Sequence, residues 1–199
     1  MASFVCTKCN RCCMNMRNLA LFEWEAERLK AIDPDAGIRP AIVGIIGQTD
    51  IVLQWAMEDK GKGHCRFLKE DGCSGYPDRP LVCQAFPLVK SGLLNNDHEN
   101  VIDRECPHMA IPFKKGQKLK RDIYAKRMGE TYGETFGAAI RLDAARSWIS
   151  DLYQFTARKI RMEGKQTPKG KMGLLEFVKR MDLMHESEIE CEIKQLTRL

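Results

Sequence analysis

Four cysteines within eight residues near the start of the chain constrain its fold more than any other feature. The stretch CTKCNRCC has the spacing C-x2-C-x2-C-C and contains Cys6, Cys9, Cys12 and Cys13. Two-residue gaps let one short loop wrap around one centre, as in zinc knuckles and in loops that hold three corners of a [4Fe-4S] cluster. The spacing therefore predicts metal binding. Extended backbone would point neighbouring side chains to opposite sides, so that Cys12 and Cys13 could serve different centres.

Four more cysteines bring the number before residue 111 to eight of the nine in the chain: Cys65, Cys73, Cys83 and Cys106. Eight thiolates suit two tetrahedral four-ligand sites, one cluster plus one zinc ion, or one site plus structural thiols. The ninth, Cys191, lies in the helical pattern ESEIECEIKQL, and we interpret it as an ordinary helix cysteine.

The chain length and the cysteine count together favour metal chemistry over disulfides. A chain of 199 residues can form a domain without covalent staples. Its first residues lack the basic segment and apolar stretch of a signal peptide, so we expect a soluble protein of the reducing cytoplasm, where clustered thiols are metal ligands or redox groups. No apolar run approaches the roughly 18 residues that span a bilayer, so we expect no transmembrane segment.

The charge is distributed unevenly along the chain. Residues 1–110 carry 13 Lys and Arg against 15 Asp and Glu, whereas residues 111–199 carry 19 against 12. We therefore predict two domains, a cysteine-cluster metal-binding module over 1–110 and a basic helical region over 111–199. The basic residues are spread over several predicted helices without a recognised reader motif, which favours a solvated helix face or an acidic protein partner, such as a larger enzyme complex, over specific nucleic acid.

The predicted fold class is α+β, mainly α-helical: a loop-rich cysteine-ligated module with a short β element, then a helical C-terminal region. Asp50–Met57 is rich in β-branched and large apolar residues and predicts a strand. The segment 163–173 is interpreted as a linker. Helices are predicted over 19–33, 134–163, 174–185 and 188–196. The longest of these helices carries an apolar stripe of Phe136, Ile140, Ala144, Trp148, Ile149, Leu152, Phe155 and Ile160.

The cysteines recur in a set of short motifs along the first half of the chain. These motifs are the N-terminal C-x2-C-x2-CC, Cys65-Arg66-Phe67-Leu68, Cys73 followed by Tyr76, Arg79-Pro80-x-x-Cys83, and Phe86-Pro87. In order and spacing they resemble a known family, the YkgJ-type CxxCxxCC cysteine-cluster proteins, described as zinc- or iron-chelating or iron-sulfur proteins. The resemblance covers roughly residues 4–106, about half of the chain. The chain departs from the usual pattern at Asn10, where many members have glycine, and at Gly75, where an aliphatic residue is usual.

The resemblance implies a metal module, with iron-sulfur chemistry as the first expectation and zinc as the second. The eight matching cysteines would be its ligands: Cys6, Cys9, Cys12, Cys13, Cys65, Cys73, Cys83 and Cys106. Arg79 is a candidate cofactor-binding residue, because a cation beside thiolates favours their deprotonated form and can hydrogen-bond cluster sulfur. With Pro80, Arg79 could instead simply form a turn.

Three functions are compatible with these patterns. The first is an iron-sulfur protein with one or two clusters of [4Fe-4S] type, which acts in electron transfer or in redox or oxygen sensing by docking on a partner. The second is a structural zinc-binding interaction module. The third is an iron-sulfur-dependent oxidoreductase or group-transfer enzyme, although no nucleophile-base constellation, P-loop or GxGxxG motif predicts a catalytic residue.

Overall fold

The computed structural model describes residues 4, 6–14, 16, 18–59, 61, 63–70, 72–75, 78–88, 102–114 and 116–197. Over these residues the chain forms seven helices and six strands, a mixed α+β and mainly helical fold, as predicted. None of the helices in the described ranges is long and apolar enough to cross a membrane.

The chain forms two compact units from segments that alternate along the sequence. The first unit is built mainly from Met1–Met16 and Gly61–Asp143, and the second from Arg17–Lys60 and Ala144–Arg198. One long helix begins in the first unit and continues in the second. The division into domains at residue 110 stays a prediction.

The first unit contains short elements around the cysteines, followed by longer helices. Its core includes the buried side chains of Tyr124, Met128 and Phe136. Its elements are α1 (Arg11–Met14), β4 (Leu68–Lys69), β5 (Gly72–Cys73), α3 (Leu81–Ala85), α4 (Arg121–Tyr132) and the start of α5 (Glu134–Glu163).

The second unit is organised by a four-stranded sheet with β3 (Thr49–Glu58) at its centre. β2 (Ile38–Ile46) pairs antiparallel with β3 from Ile38↔Met57 to Ile46↔Thr49. β1 (Asn18–Leu21) pairs antiparallel and β6 (Gly170–Gly173) pairs parallel with different stretches of β3. Its elements are β1 (Asn18–Leu21), α2 (Glu23–Ile32), β2 (Ile38–Ile46), β3 (Thr49–Glu58), the rest of α5, β6 (Gly170–Gly173), α6 (Leu174–Arg180) and α7 (Glu186–Thr197).

A buried carboxylate fixes the start of α6 in the second unit. Glu23 accepts hydrogen bonds from the backbone amides of Leu175 at 2.8 Å and Glu176 at 3.1 Å, two amides that have no partner within the helix. Burial raises the pKa of Glu23 to about 6, although the two amides act in the opposite direction. A Cβ at Gly173 would overlap the Glu23 carboxylate, so glycine is required at this position.

A tyrosine of α5 covers the outer side of β2. The Tyr153 hydroxyl accepts a hydrogen bond from the amide of Ile45 at 3.2 Å and donates one to the carbonyl of the same residue at 3.1 Å. A Cβ at Gly44 would lie 2.6 Å from that hydroxyl oxygen, so the absence of a side chain there lets the ring approach. The pair of hydrogen bonds attaches α5 to the sheet of the second unit.

The predicted long helix is confirmed as α5, but its apolar stripe is partly wrong. Phe136, Ile149, Leu152 and Ile160 are buried as expected. In contrast, Ile140 and Phe155 are 38% and 53% exposed, and Ala144 is also exposed. Small residues take their place in the core, because closely approaching elements leave room for alanine: Ala138, Ala139 and Ala145.

Other predicted elements differ at their ends. The strand over Asp50–Met57 is confirmed as β3, but the helix predicted over 19–33 begins only at Glu23 as α2, because residues 18–21 pair with β3. Phe22 has extended backbone, and its amide donates to the Glu25 carboxylate at 3.0 Å, which fixes the helix start. The predicted linker over 163–173 ends in β6, and α6 stops at Arg180 instead of residue 185.

Candidate metal centre

The N-terminal cysteine loop turns tightly through two residues with left-handed backbone. Lys8 has φ 54° and Asn10 has φ 61°. Asn10 thus adopts the conformation for which glycine is usual, as its short polar side chain permits. Its carbonyl accepts the amides of Cys13 and Met14, both at 2.9 Å, and starts α1. The loop presents Cys6, Cys9 and Cys12 at the surface, with Cys13 half-buried.

Cys12 and Cys13 form a close thiol pair on helical backbone. Their sulfur atoms are 4.0 Å apart. The expectation that extended backbone points the two side chains to opposite sides is therefore wrong for this helical segment. The hydrogen bond from the Cys13 thiol is the largest cause that lowers the pKa of Cys12, to about 6, and the positive charge of Arg79 contributes. The same bond raises the pKa of Cys13, as do burial and the negative charges of Cys12, Cys65 and Cys83.

The β4–β5 hairpin carries the next two cysteines. Cys73 pairs with Leu68 across the hairpin, and Cys65 is buried three residues before β4. Burial raises the pKa of Cys65, and the negative charges of Cys73 and Cys12 act in the same direction, while the amides of Phe67 and Leu68 lower it. The amide of Cys65 donates to the Cys13 carbonyl at 2.7 Å, which ties this hairpin to the N-terminal loop.

Cys83 lies on the short helix α3. Its amide donates to the carbonyl of Pro80 at 2.9 Å, and the side-chain amide of Gln84 donates to the carbonyl of Arg79 at 2.6 Å. These bonds order the Arg79-Pro80 turn in front of the helix. Arg79 and Pro80 therefore form a turn, and Arg79 in that turn also acts electrostatically on Cys12.

Cys106 is the buried member of a second electrostatic group. Burial is the largest cause that raises its pKa, followed in the same direction by the negative charges of Cys9, Cys6 and Cys12. The backbone amide of His108 hydrogen-bonds the Cys106 sulfur and lowers the pKa. The Cys106 thiol thus interacts electrostatically with Cys6 and Cys9 at the start of the N-terminal loop. Cys65 and Cys83 interact instead with Cys13 at its end.

A tyrosine that sequence reasoning missed anchors two of the cysteine-bearing segments. Tyr132 at the end of α4 is buried, and its hydroxyl donates to the carbonyl of Ala110 and accepts from the amide of Ala110 at 3.1 Å. Its ring lies 5.0 Å from the ring of Phe4, whose amide donates to the Thr131 carbonyl at 2.6 Å. Burial raises the pKa of Tyr132 to about 12, and the charge of Cys106 adds to the effect. Nothing in the spacing of the sequence connects Tyr132 to the cysteines.

The donor set matches metals that prefer sulfur. All nine cysteines lie in the described part of the chain and none forms a disulfide. Eight of them belong to the first unit, whereas Cys191 is exposed on α7 of the second. Within the described ranges, no three His, Cys, Asp or Glu side chains are arranged to hold one metal ion. The chemistry of the thiols and the amides directed at their sulfurs fits zinc or an iron-sulfur cluster.

The fold and these eight free thiols define a cysteine-rich, metal-chelating type of protein. The chain belongs to the CxxCxxCC family, described as a "putative zinc- or iron-chelating domain", whose model matches residues 5–107, just over half of the sequence. Metal binding is therefore the supported property, and the resemblance seen in the sequence is confirmed. Tyr76, one residue of that resemblance, lies outside the described residues. No curated protein and no solved structure matched the chain.

Proposed function

We propose that this protein holds at least one iron-sulfur centre of [4Fe-4S] type and acts in electron transfer or in redox or oxygen sensing. The observation that carries the proposal is the gathering of eight free cysteines in one compact unit, linked through their mutual effects on pKa. Eight thiolates are enough for two four-ligand centres. When bound, such a cluster supplies one-electron chemistry at a potential that the surrounding protein sets.

The proposed ligands divide into two electrostatic groups that meet at Cys12. Cys6, Cys9 and Cys106 would hold one centre; Cys13, Cys65, Cys73 and Cys83 would hold the other. Cys12 acts on both Cys65 and Cys106, which suits a ligand on the boundary.

Side groups around the thiols would tune the proposed centres. Arg79 favours the thiolate form of Cys12, the form that binds metal. The amides of His108, Phe67 and Leu68 offer hydrogen bonds to the sulfurs of Cys106 and Cys65. Hydrogen bonds to ligand sulfur are one of the means by which a protein sets the reduction potential of a cluster.

The proposed docking on an acidic protein partner, such as a larger enzyme complex, is supported by the part of α5 in the second unit and by the segment after it. Residues 144–171 carry seven Lys and Arg against two Asp and Glu. Phe155 is 53% and Met162 is 79% exposed on the same helix, one heptad apart. A basic surface with exposed apolar side chains fits an acidic partner that also offers apolar contacts.

One specific observation favours a structural zinc site as the second candidate. The sulfurs of Cys12 and Cys13 are 4.0 Å apart. Zinc-sulfur bonds of about 2.3 Å in a tetrahedron place ligand sulfurs about 3.8 Å apart. The pair could therefore chelate one zinc ion with little movement.

Anaerobic purification followed by iron, zinc and acid-labile sulfide analysis separates the two candidates. We expect iron and sulfide at about four or eight per chain, with absorption near roughly 400 nm. Zinc without sulfide would contradict the iron-sulfur proposal and support the zinc module, because Zn²⁺ is colourless and redox-inactive. The sensing role is tested by partner affinity before and after controlled oxidation; an unchanged affinity would exclude it.

A further inference from the structure

The two segments that carry Cys6 and Cys106 are fastened to the same end of α4. Phe4, two residues before Cys6, donates its amide to Thr131 and packs its ring against Tyr132. Ala110, four residues after Cys106, exchanges two hydrogen bonds with the Tyr132 hydroxyl. A single buried side chain thus holds both segments.

The segments that carry Cys6 and Cys106 also interact electrostatically. Cys106 experiences the negative charges of Cys6 and Cys9, so the two segments lie within range of each other in the first unit. The amide of Met109 donates to the Cys106 carbonyl at 3.3 Å, which continues the connection from Cys106 toward Ala110. Any displacement of Ala110 or Phe4 would change the spacing of these thiols.

We infer that Tyr132 is a positioning residue for the metal centre that Cys6, Cys9 and Cys106 form. Tyr132 binds no metal and instead fixes the separation of the ligand-bearing segments through its hydroxyl and its ring. This inference rests on the proposed metal binding, and it extends the metal module beyond residues 5–107 into α4. Residues that orient metal ligands through hydrogen bonds commonly change metal affinity by about 10- to 100-fold when they are altered.

The second unit provides a matched control for this role. Tyr153 makes the same pair of hydrogen bonds, to the amide and the carbonyl of Ile45, but in a unit whose one cysteine is the exposed Cys191. Tyr132→Phe and Tyr153→Phe each remove one hydroxyl and keep the ring. They therefore make the same chemical change, and one of them makes it beside the thiols.

The experiment loads Co²⁺ into metal-free full-length protein under anaerobic conditions and follows the thiolate-to-Co²⁺ charge-transfer absorption. Stability is measured in parallel by urea unfolding. We expect Tyr132→Phe to bind Co²⁺ about 10- to 100-fold more weakly than the wild type, with an altered absorption spectrum. We expect Tyr153→Phe to keep the wild-type affinity and spectrum, even where it lowers the stability.

Three other outcomes would overturn the inference. If both variants bind Co²⁺ like the wild type, metal binding stands and the role of Tyr132 is wrong. If both lose affinity in proportion to their loss of stability, Tyr132 acts only through the fold. If the wild type shows no thiolate-to-Co²⁺ absorption, metal binding through these thiols fails and the inference fails with it. Should Tyr132→Phe not fold, Phe4→Leu replaces it, and wild-type affinity in that variant would likewise count against the inference.

Discussion

Different interactions stabilise the two units of the chain. The second unit has a four-stranded sheet centred on the ten-residue strand β3, with an apolar core and a buried carboxylate at the start of α6. The cysteine-bearing segments of the first unit have two strands of two residues each and helices of four and five residues. So little regular structure supplies few cooperative backbone hydrogen bonds. We therefore expect bound metal to order these segments, as the sheet orders the second unit.

Metal removal gives the sharpest separation of the two units. Treatment with a chelator under reducing conditions should expose the amides of residues 6–14, 63–70, 72–75, 78–88 and 102–110 and increase their hydrogen exchange by at least about tenfold. The sheet of the second unit should exchange as before. Hydrogen exchange measured by mass spectrometry checks this, and equal loss of protection in both units would break the comparison.

Single cysteine substitutions should change the metal content in the first unit and leave it unchanged in the second. Cys65→Ser removes a buried thiol of the first unit, and if two four-ligand centres are present, the bound metal should fall by about half. Cys191→Ser changes an exposed cysteine on α7 and serves as the control, with unchanged metal content. Elemental analysis of the two purified variants measures the effect. Equal metal content in both would show that Cys65 is not a ligand.

Gly173→Ala should damage the second unit alone. The added methyl group would overlap the Glu23 carboxylate that caps α6, and overpacking of this kind costs about 1–3 kcal/mol. All three tryptophans, Trp24, Trp55 and Trp148, belong to this unit, so tryptophan fluorescence during urea unfolding reports on it directly. We expect unchanged metal content.

Gly129→Ala is the matched control for that substitution. Gly129 lies inside α4, and the nearest atom to an added Cβ would be 3.9 Å away on Phe136. Alanine is favoured over glycine in a helix by up to about 1 kcal/mol, so this variant should be as stable as the wild type or more stable. Its urea unfolding is followed by far-UV circular dichroism, because Gly129 lies in the first unit and the tryptophans lie in the second. If both alanine variants were destabilised alike, the close approach of Glu23 to Gly173 would not be the cause.

The stability of the second unit should also depend on the ionisation of Glu23. Because its pKa is raised to about 6 in the folded protein, the folded state binds a proton more tightly than the unfolded state does. Stability should therefore decrease as the pH rises from about 4.5 to 6, by roughly 2 kcal/mol from this group. Unfolding midpoints followed by tryptophan fluorescence should show this slope in the wild type. The slope should be absent from Glu23→Gln, and if it persists in that variant, another group is responsible.

Features with a strong local pattern were predictable from the sequence. The bounds of α5 follow from a proline-free stretch of thirty residues that is rich in helix formers, and β3 follows from its β-branched and aromatic residues. The cysteine cluster stands out because its spacing alone indicates a metal. Asn10 stands where many members of the family have glycine, and it has the left-handed φ of 61° that its short polar side chain permits.

Features that depend on distant partners were not predictable. β6 has the sequence GKMG, which lacks strand propensity, and it is a strand because it lies beside Thr49–Val52. The start of α2 was misplaced because residues 18–21 pair with β3 instead of continuing the helix. Tyr132 joins the cysteine segments only through tertiary contacts. In each case the deciding contact is far away in sequence, where local patterns carry no information.

The hydrogen bond from Leu175 to Glu23 has a consequence for synthesis on the ribosome. The two residues are 152 positions apart, and the residues between them include Cys65, Cys73, Cys83 and Cys106, while the N-terminal cysteine loop precedes both. Because the chain is synthesised from its N-terminus, Glu23 cannot accept these hydrogen bonds until α6 has been made, and the sheet is incomplete until β6 has been made. The cysteine segments are by then already outside the ribosome, so they can acquire metal before the sheet of the second unit is complete.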